Sequence, residues 1–131
     1  MLLPLVRAAD GDSIEGVTKA VYEVISGPAG PRNWDRFRTL FADGARLIVV
    51  RVSGGRPAPA VMTVEDYVAR SGANMQTNAF YESEVARRIE TFGNIAHVFS
   101  TYESRRAPGD KPLRAASTVF SWSRTAMSGR S

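Results

Sequence analysis

Cysteine is missing from this chain and histidine occurs once, as His97. The first absence excludes a disulfide framework and thiolate chemistry, and the second excludes a histidine-rich zinc site. No metal and no cofactor are expected. Long apolar runs are lacking too: none approaches the roughly 20 residues that a bilayer-spanning helix needs, so no membrane partner is expected. Lysine is scarce, and the formal charge of +4 and pI of about 10.0 come almost wholly from arginines scattered from Arg7 to Arg130. A nucleic-acid footprint would need clustered basic residues with interleaved aromatics. The arginines read instead as a solvated surface, and no nucleic-acid partner is expected. What remains is ordinary: 131 residues, 44% hydrophobic and 23% charged, enough for one compact domain.

Residues 1–9 stand apart. Leu2 to Val6 are apolar, yet that run is short for the h-region of a secretion signal, about 7 to 15 residues. Two readings stand: a loose N-terminal tail, or the end of a signal that starts upstream, with Ala9 opening the mature chain. The first leaves a cytoplasmic protein and the second a periplasmic or secreted one. The domain itself is expected over residues 10–122, with residues 123–131, small and polar, as a frayed tail.

A helix is expected from about Asp12. Ile14, Val17, Val21, Val24 and Ile25 form one stripe, Asp12 or Ser13 can cap it, and the Gly27-Pro28 and Gly30-Pro31 pairs end it. A second helix follows in RNWDRFRTLFADGARLIVV, where Trp34, Phe37, Leu40 and Phe41 share a face. Asp43-Gly44 is expected to stop it, and residues 45–52 form a β-branched strand. Residues 53–57 read as a loop in which proline and glycine forbid regular structure. Thr63 and Asp66 then form the capping box of a third helix, with Val64, Tyr67, Val68 and Met75 inward and fraying near Gly72.

The second half changes to period 2. Residues 79–91 and 95–106 are strand candidates, and Gly93-Asn94 suits a two-residue hairpin turn. Counting outward from that turn sets Phe92 opposite Ile95, Glu90 opposite His97, Arg88 opposite Phe99 and Ala86 opposite Thr101. One face then carries Phe80, Glu82, Glu84, Ala86, Arg88, His97, Phe99, Thr101 and Glu103. The other, with Tyr81, Ser83, Val85, Arg87, Ile89, Ala96, Val98, Ser100 and Tyr102, is more apolar and should pack on the helices. Glu82, Glu84 and Glu103 read as solvated partners of Arg87, Arg88, Arg105 and Arg106. Residues 117–122 form a last strand. The fold class is α+β: a curved antiparallel sheet wrapped around three helices as a cone-shaped barrel, with an apolar pocket at the open end.

This order of elements, together with LFADGARL at Leu40 to Leu47 and FGNIAHVFSTYE at Phe92 to Glu103, resembles bacterial members of the nuclear transport factor 2-like superfamily. Polyketide cyclases, ketosteroid isomerases and scytalone dehydratases share that frame, so the resemblance implies a fold more than a reaction. Laid on the isomerase branch, Tyr22 falls on the oxyanion tyrosine and Val49 on the general base. Valine cannot accept a proton, and no carboxylate occurs in residues 117–122, where the second oxyanion acid would lie. Steroid isomerisation is therefore not expected. The resemblance leaves Tyr22 and His97 as catalytic candidates, His97 because its ordinary pKa of about 6.5 suits proton transfer. Against that stands a structural histidine bonded to Glu90. Trp34, Phe37, Tyr67, Val85, Val98 and Tyr102 are expected to line the ligand pocket, though the aromatic ones equally suit a core.

Chains of the resembled kind end in two adjacent strands with a tryptophan in the last. Here one strand candidate precedes a Ser/Arg-rich tail, and residues 114–127 back-translate in a shifted frame into strand-like sequence. A frameshifted or truncated chain is the corresponding expectation. Two functions follow. One is a small-molecule-binding domain of polyketide-cyclase type, a lyase or isomerase on an apolar carbonyl compound. The other is a non-enzymatic homodimeric module that uses the outer sheet face, with Phe80 and Phe99, to hold a partner.

Overall fold

The computed structural model describes residues 13–123, and for residues 49–52 and 123 the backbone alone. The expectations for residues 1–9 and for the tail beyond Ser123 lie outside the described residues. Ser13 is the cap that starts α1 (Ile14–Ile25), its side chain accepting from the Gly16 amide at 2.9 Å. The later part of the apolar stripe is buried as expected, with Val21, Val24 and Ile25 each under a tenth exposed, while Ile14 and Val17 are partly buried. Beyond the helix the Arg32 guanidinium gathers the loop. Nε donates to the Ile25 carbonyl at 2.9 Å, Nη2 to Gly27 at 2.9 Å, and Nη1 to Pro28 at 2.8 Å and Gly30 at 3.1 Å. A cation at this end also complements the helix dipole.

The second helix, α2 (Trp34–Thr39), is six residues long and stops before Asp43-Gly44. Its last turn tightens, with Leu40 and Phe41 donating to the carbonyls of Phe37 and Arg38. Gly44, at φ 78°, instead closes the turn in which the Ala45 amide meets the Ala42 carbonyl. The aromatic face does its expected work over the shorter length. Phe37 is 1% exposed, stacks on Tyr67 with ring centroids 5.3 Å apart, and meets Trp34 edge-on at 5.2 Å.

β1 (Arg46–Ser53) turns through Gly54 and Gly55, both at positive φ, into β2 (Arg56–Thr63). The loop expected over residues 53–57 therefore shrinks to a two-residue turn, and β2 extends through residues 58–62, for which no element was expected. Pro57 and Pro59 are tolerated because they lie two apart and pair with Val52 and Val50. Counting from a two-residue turn, both fall at non-hydrogen-bonded sites, so their missing N–H groups lie along the free edge. Thr63 then caps α3 (Val64–Thr77). Its Oγ1 accepts from the Asp66 amide and Asp66 Oδ2 accepts from the Thr63 amide, both at 3.0 Å. α3 does not fray at Gly72. That glycine leaves room for Trp34, whose Nε1 would stand 3.2 Å from an added Cβ.

The remaining strands, β3 (Tyr81–Phe92), β4 (Ile95–Arg105) and β5 (Arg114–Ser123), form an antiparallel sheet in that order. The Gly93-Asn94 hairpin has the expected register: Phe92 faces Ile95, Glu90 faces His97, Arg88 faces Phe99 and Ala86 faces Thr101. Then the ladder slips. Glu84 pairs with Tyr102 rather than Glu103, leaving Val85 as an extra residue in a β-bulge. One extra residue exchanges the two faces, so everything before Val85 on β3 points opposite to simple alternation. Glu82 and Glu84 turn inward, opposite Ser104 and Tyr102, and Val85 is 53% exposed. On β4 the expected face is inside: Ala96, Val98 and Ser100 are all within 1% of complete burial. Phe80 is not on the outer face either; it packs against the helical core, where its backbone bridges Gly27.

Among the described residues the fold is thus α+β, with three helices and two antiparallel sheets of two and three strands. Among the described residues no closed barrel forms, and no helix is long and apolar enough to cross a membrane.

Candidate functional site

The junction of α1 and β3 is built by one serine. Ser26, just past the end of α1, accepts from the Glu82 amide at 2.9 Å and donates to the Glu82 carbonyl at 3.1 Å. Next to it the Gly27 and Phe80 backbones exchange two bonds at 2.8 and 3.0 Å. These contacts fix the start of β3 against the helix. A groove of ≈ 400 Å³ opens between the two elements, with Glu15, Lys19, Tyr22 and Glu23 from α1, Glu82, Ser83, Glu84 and Arg87 from β3, and Ser26 between. That volume lies within the range of small-ligand sites, but its lining is charged or polar throughout where an apolar pocket was expected.

Most charges along the groove are committed to one another. Lys19 reaches Glu23 at 3.9 Å, Arg36 bonds Glu23 at 3.0 Å, and Arg87 bonds Glu84 at 2.6 Å. Glu82 differs, standing in no ion pair among the described residues. Its carboxyl accepts a long bond, 3.4 Å, from Ser104 Oγ. Burial pushes it up to about 7, opposed more weakly by Ser104 and by the charge of Arg114. A carboxyl half-ionised near neutral pH can both take and return a proton.

Three tyrosines surround this carboxyl electrostatically. Burial pushes the phenols of Tyr22 and Tyr67 up to about 12, and Tyr102 upward as well, with Glu82 adding to each. Tyr22 is 6% exposed, and its ring lies 6.0 Å from Tyr102 and 6.2 Å, edge-on, from Phe120. Its hydroxyl meets Ser100 Oγ at 2.8 Å, and Ser100 in turn meets Glu84. The helix, the bulged strand and the central strand therefore converge through side chains that lie far apart in sequence.

Of the residues singled out in the sequence, the structure brings Tyr22 and Tyr102 together at this place and not His97. His97 is exposed on the outer face of β4, opposite Glu90 and Ser121. Trp34, Phe37 and Tyr67 are spent on one another in the aromatic core, Val98 is buried beneath the sheet, and Val85 is the exposed bulge residue. For Val49 the backbone alone is described, within β1. Glu82, Glu84, Ser100 and Ser104 were not read as site residues. Period-2 counting carries no signal for them, because unbroken alternation already sets the polar Arg87 opposite Ser100 and Ser83 opposite Ser104. Glu103 does behave as expected, paired with Arg105 at 2.7 Å.

A second depression, ≈ 440 Å³, lies beside the turn at Ala42 to Ala45. Its Arg38 and Glu65 are locked together by two bonds of 2.7 and 3.1 Å, so it offers less free chemistry. Among the described residues no three acidic or histidine side chains converge as metal ligands would. The chain matches no protein-family model, no curated protein and no solved structure.

Proposed function

We propose that this chain is a small-molecule-binding domain of the nuclear transport factor 2-like, polyketide-cyclase type, whose helices and sheets stand in for the cone-shaped frame of that superfamily. The groove between α1 and β3 binds an apolar carbonyl compound, and Glu82 moves a proton on it in a lyase or isomerase reaction. One observation carries the reading: at the groove an inward carboxyl stands in no ion pair among the described residues and accepts only a long bond from Ser104, so that burial pushes it up to about 7. Ionised, it takes a proton from the carbon beside the carbonyl; protonated, it returns that proton to carbon. The base that the isomerase resemblance would place at Val49 is thus supplied from β3 instead.

Hydrogen–deuterium exchange at the acidic carbons of β-tetralone, followed by NMR, tests the chemistry without knowledge of the natural substrate. The full chain should accelerate exchange, and Glu82→Gln should lower that acceleration by roughly 10² to 10⁴-fold, the usual contribution of a general base. Equal rates with wild type and Glu82→Gln would remove Glu82 from the chemistry.

A specific observation favours the second reading as well. Phe92, Ile95, Phe99 and Val119 are 87%, 53%, 41% and 51% exposed on the outer sheet face. A homodimer paired through that face would cover them, with or without catalysis in the groove. Light scattering at micromolar concentration should then report two chains per particle, and one chain per particle would count against it.

A further inference from the structure

A run of hydrogen bonds, exposed at Arg87 and buried at Tyr22, decides which way the Tyr22 hydroxyl points. Arg87 donates to Glu84 Oε1 through Nε at 2.9 Å and through Nη2 at 2.6 Å, a charge-assisted pair between guanidinium and carboxylate. A carboxylate accepts and cannot donate. Its other oxygen, Oε2, faces Ser100 Oγ. Serine carries one hydroxyl proton, and that proton is committed to Glu84. Tyr22 Oη, 2.8 Å from Ser100 Oγ, must then supply its own proton to the serine oxygen. Burial, which holds the phenol up to about 12, keeps the proton on Tyr22 throughout the neutral range. What Tyr22 has left is a lone pair.

We propose that Glu84, held by Arg87 and acting through Ser100, sets Tyr22 as a hydrogen-bond acceptor, so that the groove selects a hydroxyl-bearing ligand, a phenol or an enol, over the corresponding ketone or ether. The inference rests on the groove being the ligand site, and for the carbonyl substrate proposed above it means that the enol intermediate is held more tightly than the ketone that enters and leaves. It reverses the polarity implied by the isomerase resemblance, in which this tyrosine donates to a carbonyl oxygen. A ketone brought against Tyr22 meets acceptor on acceptor, whereas an enol offers the proton that the tyrosine oxygen lacks. Glu84 is here a positioning residue that acts on the ligand through Ser100 and Tyr22, and Ser100 is the element that transmits its charge.

Three probes of one shape separate the alternatives: β-naphthol, which offers a hydroxyl proton; methyl β-naphthyl ether, which does not; and β-tetralone. Titration calorimetry on the full chain should show β-naphthol binding at least about tenfold tighter than the other two, the scale of leaving one buried polar group unsatisfied. Glu84→Gln should shrink the preference to about threefold or less, because a carboxamide can donate to Ser100 and let both hydroxyls turn round. A wild-type chain that binds the ketone or the ether as tightly as the phenol would overturn the proposal, as would a preference unchanged in Glu84→Gln. A second measurement needs no ligand and no altered Glu84. The tyrosine Fermi doublet in the ultraviolet Raman spectrum, taken as the difference between wild type and Tyr22→Phe, should carry the signature of a strong hydrogen-bond donor. The signature of an acceptor would overturn the polarity outright. If no probe binds, the groove reading fails by itself, and the Raman signature still decides how Tyr22 is set.

Discussion

Phe37→Ala is expected to destabilise the protein by about 3 to 5 kcal/mol, the range for removing a large aromatic side chain from a packed core. The position has little means of collapsing around the void. Phe37 is 1% exposed and is fixed on three sides by other rings: Tyr67 stacked at 5.3 Å, Trp34 edge-on at 5.2 Å and Phe41 at 4.8 Å. Those rings come from two helices and the turn after α2, and the aliphatic side chains of Val21, Val24 and Ile25 on α1 belong to the same cluster. Truncation therefore loosens all three helices together. Urea denaturation at neutral pH measures the loss, and a value below about 1 kcal/mol would show that this aromatic cluster is not the stabilising core.

Glu82→Gln is expected to do the opposite and stabilise the protein at alkaline pH. In the unfolded chain the carboxyl loses its proton near 4.5, whereas in the folded protein it keeps it up to about 7. Between those values the native state binds the extra proton, so stability falls as pH rises through that window and remains lowered above it. Below 4.5 both states are protonated and the group contributes no difference. At about 1.4 kcal/mol per pH unit the full effect is on the order of 3 kcal/mol. Glutamine has the shape of the protonated acid and no charge to desolvate. The variant should match wild type at about pH 4 and exceed it by most of that amount at about pH 8. Glu65 and Asp66, whose carboxyls are lowered by Arg38 and by Thr63 respectively, add an acid-side loss common to both proteins, which cancels in the comparison. Chemical melts across this range that stay parallel for the two chains would contradict the prediction. A residue that weakens the fold while standing unpaired at a groove is the pattern that a functional carboxyl produces.

Much of the frame could be read from local chemistry. Ser13 at the head of α1, the Thr63–Asp66 capping box and the Gly93-Asn94 turn each involve a few neighbouring residues and one dominant hydrogen-bond geometry, and each stands where the residues put it. β2 was hidden because two prolines normally argue against a strand. Their spacing of two, which places both on one edge, is decisive only once the hairpin register is known. The early end of α2 likewise reflects a choice between two stop signals, the tightened turn at Leu40 and the glycine at position 44, that residue types alone do not rank.

The candidate site was the least legible part, and a single bulge accounts for it. Without the extra residue at Val85, period-2 counting sends Glu82 and Glu84 to solvent among the arginines; with it they face Ser104, Ser100 and Tyr22. Tyr22 is singled out by the isomerase resemblance, while its partner Ser100 lies 78 residues away and is brought there by the sheet. His97 drew attention through its chemistry. Strand alternation had already set it on the face that turned out exposed.

The central claim is that Glu82 is a proton-transfer group poised near neutrality. The side-chain carboxyl resonance of Glu82, assigned by its disappearance in Glu82→Gln and followed by NMR through an acid-to-alkaline titration of the folded chain, tests it most directly. The account predicts a midpoint at about 7; a midpoint near the ordinary glutamate value of about 4.3 would contradict it.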